Sequence, residues 1–468
     1  MTDTKMGVGV EPTPFNFVLV PTHKPEQLLD HVRYAMTLGL PEVKECAAHG
    51  EIMSVAGGGP SLEDTWGELT GYVAAVNGSL SYLLGKGVAP QMCGVCDPSE
   101  HMAEVVEAKQ GVTYFLASHV HPKLFDKLIA ANCTVYLWHL HPIDGLDELL
   151  AEYYPEGWVQ IPGGCTMGLR WLTLGYHMGF RKFHLHGLDS SFRGKSSHAY
   201  PDKQDHKEWI GFDGYQTRIN FLGQVTDFIG LMEDGLGHDV DPLEIKMHGD
   251  GLLQWRYSKW LEENPGIGFK WPASDKMGHI YTPGEARDIA KFMDLVPERG
   301  VCVQAGGNVG IYPAYLARWF DEVHTFEPDP VNYAFMVENL NGNEKVKTYN
   351  AALGAEAGAV GVIEHQPGHV GTKYVVAGGP LPMRTIDSFG FARCDLIWLD
   401  VEGYEENALK GAAETIDRLH PAVIIEEKGN AALHGLDPAG ASDWLKARGY
   451  APVAGFGMDV LYTHGGKC

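Results

Sequence analysis

Short apolar runs alternate with stretches of helical period along most of the chain, in two blocks. In the first, from about 20 to 255, the period of PEQLLDHVRYAMTLG predicts a helix and EIMSVAG a strand. MCGVCD, TYFLAS and CTVYLWHL predict further strands with helical stretches between them. A glycine loop, IPGGCTMG, then leads into a helix, LRWLTLGYHMG, and a strand, KFHLHGLD. The second block starts near 283 and predicts a helix over GEARDIAKFMDLV. VCVQAG, EVHTFEP and KVKTYNAAL follow as strands, separated by helices over IYPAYLARWF and PVNYAFMVENL. DLIWLDVEG and AVIIEEK are later strands, followed by helices over NALKGAAETIDRL and AGASDWLKARG. Runs of five to eight apolar residues predict strands covered on both faces, as in a parallel sheet. The alternation makes both blocks α/β, and two Rossmann-like doubly wound domains are expected.

The stretch NPGIGFKWPASDKMGHIYTPG, residues 264–284, is rich in Gly and Pro and has no period. It is read as a linker between domains at 1–263 and 285–468. A chain of 468 residues is also longer than one core usually serves. Net charge is −24 and no Lys/Arg run offsets it, so phosphate backbones are repelled and a nucleic-acid partner is not expected. No apolar run is long enough to span a membrane, and MTDTKMGVGVEPTP has no apolar signal region. A cytoplasmic setting is expected. Eight cysteines are scattered at 46, 93, 96, 133, 165, 302, 394 and 468. Cys93 and Cys96 form a CxxC, but no second pair completes a zinc site, so reduced thiols are expected.

Chemistry concentrates at predicted strand ends. In QAGGNVG, Gln304, Gly306 and Gly310 hold the spacing acid-x-Gly-x-x-x-Gly, with Gln304 in the acid's place. Glycines there let the backbone approach a ligand before a helix N-terminus. Glu327 ends the next strand, 21 positions after Gly306, where an acid accepts hydrogen bonds from ribose hydroxyls. The strand DLIWL delivers Asp400 to the same type of edge, with Glu402 in the turn and Glu405 beyond it. Such acids bind hydroxyls, take a proton or hold a metal; Glu402 and Glu405 also suit a helix cap. His365 and His369 lie in EHQPGHVGT, a loop expected over the site. Either could act as a base, although a lone loop histidine is more often a surface residue.

QAGGNVGIYPAYLA, FEPDPVNYAFMVENL, NAALG, TIDSF, CDLIWLDVEGYEENALKGA and AVIIEEKGN come in an order and spacing that resemble the FkbM-type S-adenosylmethionine-dependent methyltransferases, from roughly 283 to 463. The resemblance implies a seven-stranded methyltransferase fold and O-methylation of sugar or polyketide hydroxyls. It puts Gly306, Gly307, Asn308 and Gly310 against the donor's methionine end, Glu327 on its ribose, and Asn350 and Ala351 near its adenine. Gln304 departs from the family's Asp; it loses the charge, so weaker donor binding or a rearranged contact is expected. Asp400 is the first candidate base, with Glu402 and Glu426 behind it.

In the first block, Gly57, Gly58, Gly59, Pro60 and Ser61 make a glycine turn after a strand. Ser61 suits an N-cap, and Asp64 three positions on resembles a capping box. Helix termini of this kind suit phosphate. GGGPSL, the strand-end Asp97, PGG at 162–164, HGLDSSF and HAY at 198–200 together resemble the MptE-like proteins, over about 25 to 240. Those include 6-hydroxymethylpterin diphosphokinase-like enzymes and flagellin-associated motility accessory factors. The resemblance implies a Rossmann-like fold that binds a phosphorylated nucleotide or nucleotide sugar. Gly57, Gly58, Gly59 and Ser61 would meet phosphate, with Gly163 and Gly164 in the second loop. Asp97 and Asp189 would face one crevice, Asp189 as a metal ligand or a structural cap. His184 and His186 alternate along a strand and share a face. With Asp189 nearby they suit zinc; more often such residues hydrogen-bond loops at a sheet end. His198 invites the same metal reading, while Trp138, His139 and His141 in WHLHP suit a cleft wall.

The expectation is an S-adenosylmethionine-dependent O-methyltransferase for a sugar or glycan hydroxyl, fused to a nucleotide-sugar-binding domain. A divalent metal stays open in either domain, as does the oligomeric state. Two alternatives stand beside it: a scaffold with a lapsed donor site, and a diphosphotransferase or glycosyltransferase centred on the first domain.

Overall fold

The computed structural model describes residues 23–140, 143–200, 210–233 and 243–466, with Gln160 by its backbone alone. It divides the chain into two units. One takes the residues up to Gly230 together with Ile245–Arg256; the other takes Leu231–Glu244 and Tyr257 onward.

In the first unit, β1 (His49–Ala56), β2 (Tyr72–Val76), β3 (Met92–Val95), β4 (Thr113–Ala117), β5 (Thr134–Leu140), β6 (Gln160–Ile161) and β7 (Phe180–His186) pair in parallel. A hairpin of β8 (Ile210–Phe212) and β9 (Tyr215–Thr217) stands apart, and β10 (Glu244–Met247) joins the sheet beside β7. The order is β10-β7-β1-β2-β3-β4-β5-β6, so the chain runs outward from β1 and then returns to its other side. The loops after β1 and β7 thus flank the switch point, where open α/β sheets take ligands. One face is covered by the helix Met167–His177, where Gly175 lets Phe183 and Met53 come close. On the opposite face, Ser54 is bonded to Thr70, placing the segment after Ser61 over His184 and its neighbours.

The second unit holds β11 (Val301–Ala305), β12 (Glu322–Phe326), β13 (Val346–Tyr349), β18 (Leu396–Leu399), β19 (Ala422–Glu426), β20 (Tyr450–Phe456) and β21 (Asp459–His464) in one sheet. Its order is β13-β12-β11-β18-β19-β21-β20, with β21 antiparallel to both neighbours. This is the seven-stranded methyltransferase fold. Alternate residues of the apolar strands feed two cores: Cys302, Val323, Trp398 and Ile424 on one face, Val303, Ile397, Val423 and Ile425 on the other. A second sheet, β14 (Ala352–Leu353), β15 (Gly358–Glu364), β16 (Lys373–Ala377) and β17 (Leu381–Arg384), lies in the order β14-β17-β15-β16.

Three local expectations change. KVKTYNAAL is two strands in different sheets, because Asn350 turns between them and donates to the carbonyls of Glu327 and Pro328. GEARDIAKFMDLV is the end of one helix, Gly278–Ala286, and a second, Ile289–Met293. The first starts earlier than its period because Asp275 accepts from the N–H groups of Gly278 and His279. The 264–284 stretch thereby carries an anchored helix start. Ser61 makes no side-chain cap bond to its four-residue helix, and Asp64 instead pairs with Arg193. Among the described residues, no helix is long and apolar enough to cross a membrane.

Candidate active site

The parallel strands β12, β11, β18 and β19 present their C-terminal ends to one solvent-open cleft. Gly306 follows β11 at φ +87°, and a Cβ there would fall 1.9 Å from the Asp400 carbonyl oxygen. Only glycine permits the two strand ends to meet so closely. The loop's N–H groups are used internally. Gly306 and Gly307 both donate to the Phe326 carbonyl, Gly310 to Gly307, and Asn308 to the Glu327 carboxylate at 2.8 Å. The Oδ1 atom of Asn308 is buried without a protein partner. Gly307 packs against Met336 and Thr325, and Gly310 begins the helix Ile311–Leu316 at φ +105°.

Glu327 is buried at the cleft wall. Its second oxygen accepts from the Asp329 N–H at 2.8 Å. Burial pushes its carboxyl up to about 8, with the two N–H donors opposing the shift. Lys373, paired with Asp329 at 3.0 Å, also lines the cleft.

Across the cleft, Asp400 and Glu402 line the wall, and Glu426 offers an oxygen within 4.8 Å of both. Glu402 sits at φ +52°, a costly conformation for a non-glycine residue. Asn430 holds it by donating to its carboxylate at 2.6 Å. Burial first and Asp400 second raise the carboxyls of Glu402 and Glu426, while the Lys428 ammonium opposes both shifts. Lys428 is paired directly with Glu426, so the carboxylate group already has a cation. Glu405 serves the backbone, accepting from Val401 and Gly403, and burial raises it to about 7.

Of the residues singled out from sequence, Gly306, Asn308, Glu327, Ala351, Asp400 and Glu402 share the cleft lining. Gln304 does not join them. It is fully buried, accepts from Thr325 Oγ1 and donates to the Ala305 carbonyl. Asn350 pins the Glu327 loop from behind. His369 lines the cleft, whereas His365 is exposed and packs edge-on to Tyr374. Sequence reasoning passed over Tyr312, Lys373, Lys428 and Glu285, which also line it. Lys428 was legible as a neighbour of the strand-end Glu426; Glu285 opens a stretch of helical period, away from any strand end, and nothing marks it.

The first unit uses its strand-end acid differently. Asp189 accepts from the Ser61 N–H at 2.7 Å and from the Ser61 hydroxyl, and Gln254 donates to it at 3.3 Å. Gly57 abuts the Gly187 carbonyl and Gly58 the Tyr200 and His198 rings. Gly59 abuts the Asp189 carboxylate itself. Asp97 follows β3 and accepts from the Ser99 N–H. Gly163 and Gly164 both have positive φ ahead of Thr166, which caps the helix Met167–His177. Cys93 and Cys96 are free, and burial pushes both thiols up to about 12. Trp138 is buried, His139 contacts Ser118, and His141 lies outside the described residues. His184 Nδ1 and both ring nitrogens of His186 make no hydrogen bond of normal geometry, and His248 packs against the two rings.

Residues 32–195 match the family profile "6-hydroxymethylpterin diphosphokinase MptE-like", and residues 304–452 match "Methyltransferase FkbM domain". No curated protein sequence matches the chain. Among solved structures, the MAf glycosyltransferase from Magnetospirillum magneticum AMB-1 is similar at 12% identity and a TM-score of 0.36, over 67% of this chain and 52% of that one. The chain therefore spans about half the length of that protein. Methyltransferase FkbM from Methylobacillus flagellatus KT is similar at 12% identity and a TM-score of 0.27, over 94% of this chain and 100% of that one. With both profiles matched in sequence and two α/β sheets beneath them, the chain carries an MptE-like domain followed by a methyltransferase FkbM domain.

Proposed function

We propose that the second unit transfers a methyl group from S-adenosylmethionine to a hydroxyl of a sugar-type acceptor, and that the first binds a nucleotide or nucleotide sugar. The observation that carries this reading is that Glu327, Asp400 and Glu402 wall one open cleft beside Gly306.

The residues present fit the donor. Glu327 has one backbone N–H on each oxygen and keeps a lone pair on each for a vicinal diol. The unpartnered Asn308 Oδ1 suits an ammonium group. Four acidic side chains, Glu285, Glu327, Asp400 and Glu402, stand against two lysines, and a cationic ligand would favour the ionised forms of Glu327 and Glu402 that burial disfavours. Gln304 lies off this wall, so its missing charge is not felt by direct contact.

Bound S-adenosylmethionine would supply an electrophilic methyl carbon on a good leaving group. The protein's share is alignment of the acceptor oxygen and removal of its proton. Asp400 is the first acceptor of that proton because it lines the cleft, whereas Glu426 lies behind it, paired with Lys428. Glu402 stands second; its carboxyl lies above the usual range, in the direction a base at neutral pH needs. The open cleft speaks against the scaffold alternative, and the use of Ser61 by Asp189 speaks against a phosphate at that N–H.

Calorimetric titration of the full chain with S-adenosylmethionine tests the reading. One site per chain is expected, weakened about 100-fold by Glu327→Ala. No heat for the native chain, or equal heat for both, overturns it.

A further inference from the structure

Three imidazoles converge on the face of the first sheet opposite the helix Met167–His177. His184 and His186 are alternate residues of β7, opposite Ser54 and Ala56 of β1. His248 follows β10, and its N–H donates to the Leu185 carbonyl between them. The His186 and His248 rings stack with centroids 3.9 Å apart, and His184 lies 5.2 Å from His248. Each residue offers a ring nitrogen, and the three nitrogens lie within 4.8 Å of one another.

The hydrogen bonding of this group is incomplete on the side where the rings meet. His186 is fully buried, and neither of its ring nitrogens makes a hydrogen bond of normal geometry, although the Thr65 backbone lies near enough to interact with the ring. His184 Nδ1 and His248 Nε2 also lack one. A buried polar group left without a full partner is costly unless a ligand completes it. The remaining nitrogen of His248, Nδ1, lies 2.7 Å from the Glu68 carboxylate. That bond fixes the proton on Nδ1 and leaves Nε2 as a lone-pair donor, the arrangement in which carboxylates orient metal-bound histidines. Lys246 stands nearby and opposes a cation there; Glu68 offsets it.

We infer that His184, His186 and His248 form a binding site for a divalent transition metal of the zinc class, with Glu68 orienting His248. Imidazole sets of this kind suit zinc, cobalt or copper rather than magnesium or calcium. Metal–nitrogen bonds of about 2.0 Å require nitrogens about 3.3 Å apart in tetrahedral geometry, so the rings close inward and the stacked pair fans apart. The metal would tie β7 and the turn after β10 to the Glu68 segment. The inference stands independently of the methyl-transfer reading.

The test is titration of the chelator-treated full chain with Co²⁺, followed by visible absorption. One intense tetrahedral spectrum per chain, displaced by Zn²⁺, is expected. His186→Asn and His248→Asn abolish it, and Glu68→Gln weakens binding 10–100-fold. Circular dichroism establishes that each variant is folded; if His186→Asn is not, His184→Asn replaces it on the exposed side of the cluster. No stoichiometric binding, weak six-coordinate bands typical of carboxylate ligands, or unchanged spectra in the folded histidine variants overturn the inference.

Discussion

The loops Gly57–Ser61 and Gly306–Gly310 have the same standing in their units. Each follows the strand at the switch point of a parallel sheet, and each meets an acid from a neighbouring strand end. In the first, Asp189 spends both oxygens on Ser61, and the loop closes on its own protein. In the second, Glu327 takes one loop N–H yet keeps its free lone pairs on a cleft. One loop is stitched shut and the other is held open. The acid's distance along the chain does not decide which; what stands in front of its second lone pair does.

The largest effect should come from Gly306→Ala. The added Cβ would fall 1.9 Å from a backbone oxygen, so we expect a loss above about 4 kcal/mol or failure of the second unit to fold, read by denaturant unfolding. Next, Asp189→Ala should destabilise the first unit by about 3 kcal/mol, because it strands the buried Ser61 N–H and hydroxyl. It should leave donor affinity unchanged. Glu327→Ala should do the reverse: it should cost about 100-fold in donor affinity, about 2.8 kcal/mol, with a smaller change in stability. If Asp189→Ala also weakens the donor, or Glu327→Ala does not, the contrast between the loops fails.

Gln304→Glu should lower stability by about 2 kcal/mol, since a carboxylate replaces the amide that donates to Ala305. Donor affinity by calorimetry should shift less than about tenfold. The last effect is one of pH, small at any one pH step. Burial first, then Asp400, raises Asp459 from 3.8 to about 8, so folding takes up a proton between those values. Its stabilisation is present below about pH 4 and is lost as pH rises toward 8. Asp459→Asn should therefore flatten the fall in stability between pH 5 and 7, by up to about 1.4 kcal/mol per pH unit.

The five parallel strands of the second unit were readable from the alternation of period, because strands covered on both faces need unbroken apolar runs; their order was not, and β20 and β21 carry no such run. The strand-end acids Glu327 and Asp400 were readable for the same reason: they mark where such runs stop. The small sheet β14–β17 was not, since its strands are short and half-exposed, and β2 was overlooked as a run of five residues. Gln304 shows where pattern runs out. Its place at the strand end announced a ligand contact, but period two turned its side chain toward Thr325 on the adjacent strand.

The sequence by itself determined the two α/β blocks, the glycine turns and the acids that end their strands, because periodicity and turn chemistry are local. The tertiary structure alone decided that Asp189 closes its loop, that Lys428 comes near Asp400 and Glu402, and that His248 joins His184 and His186. Those are meetings between segments distant along the chain, and strand order, not spacing, brings them together.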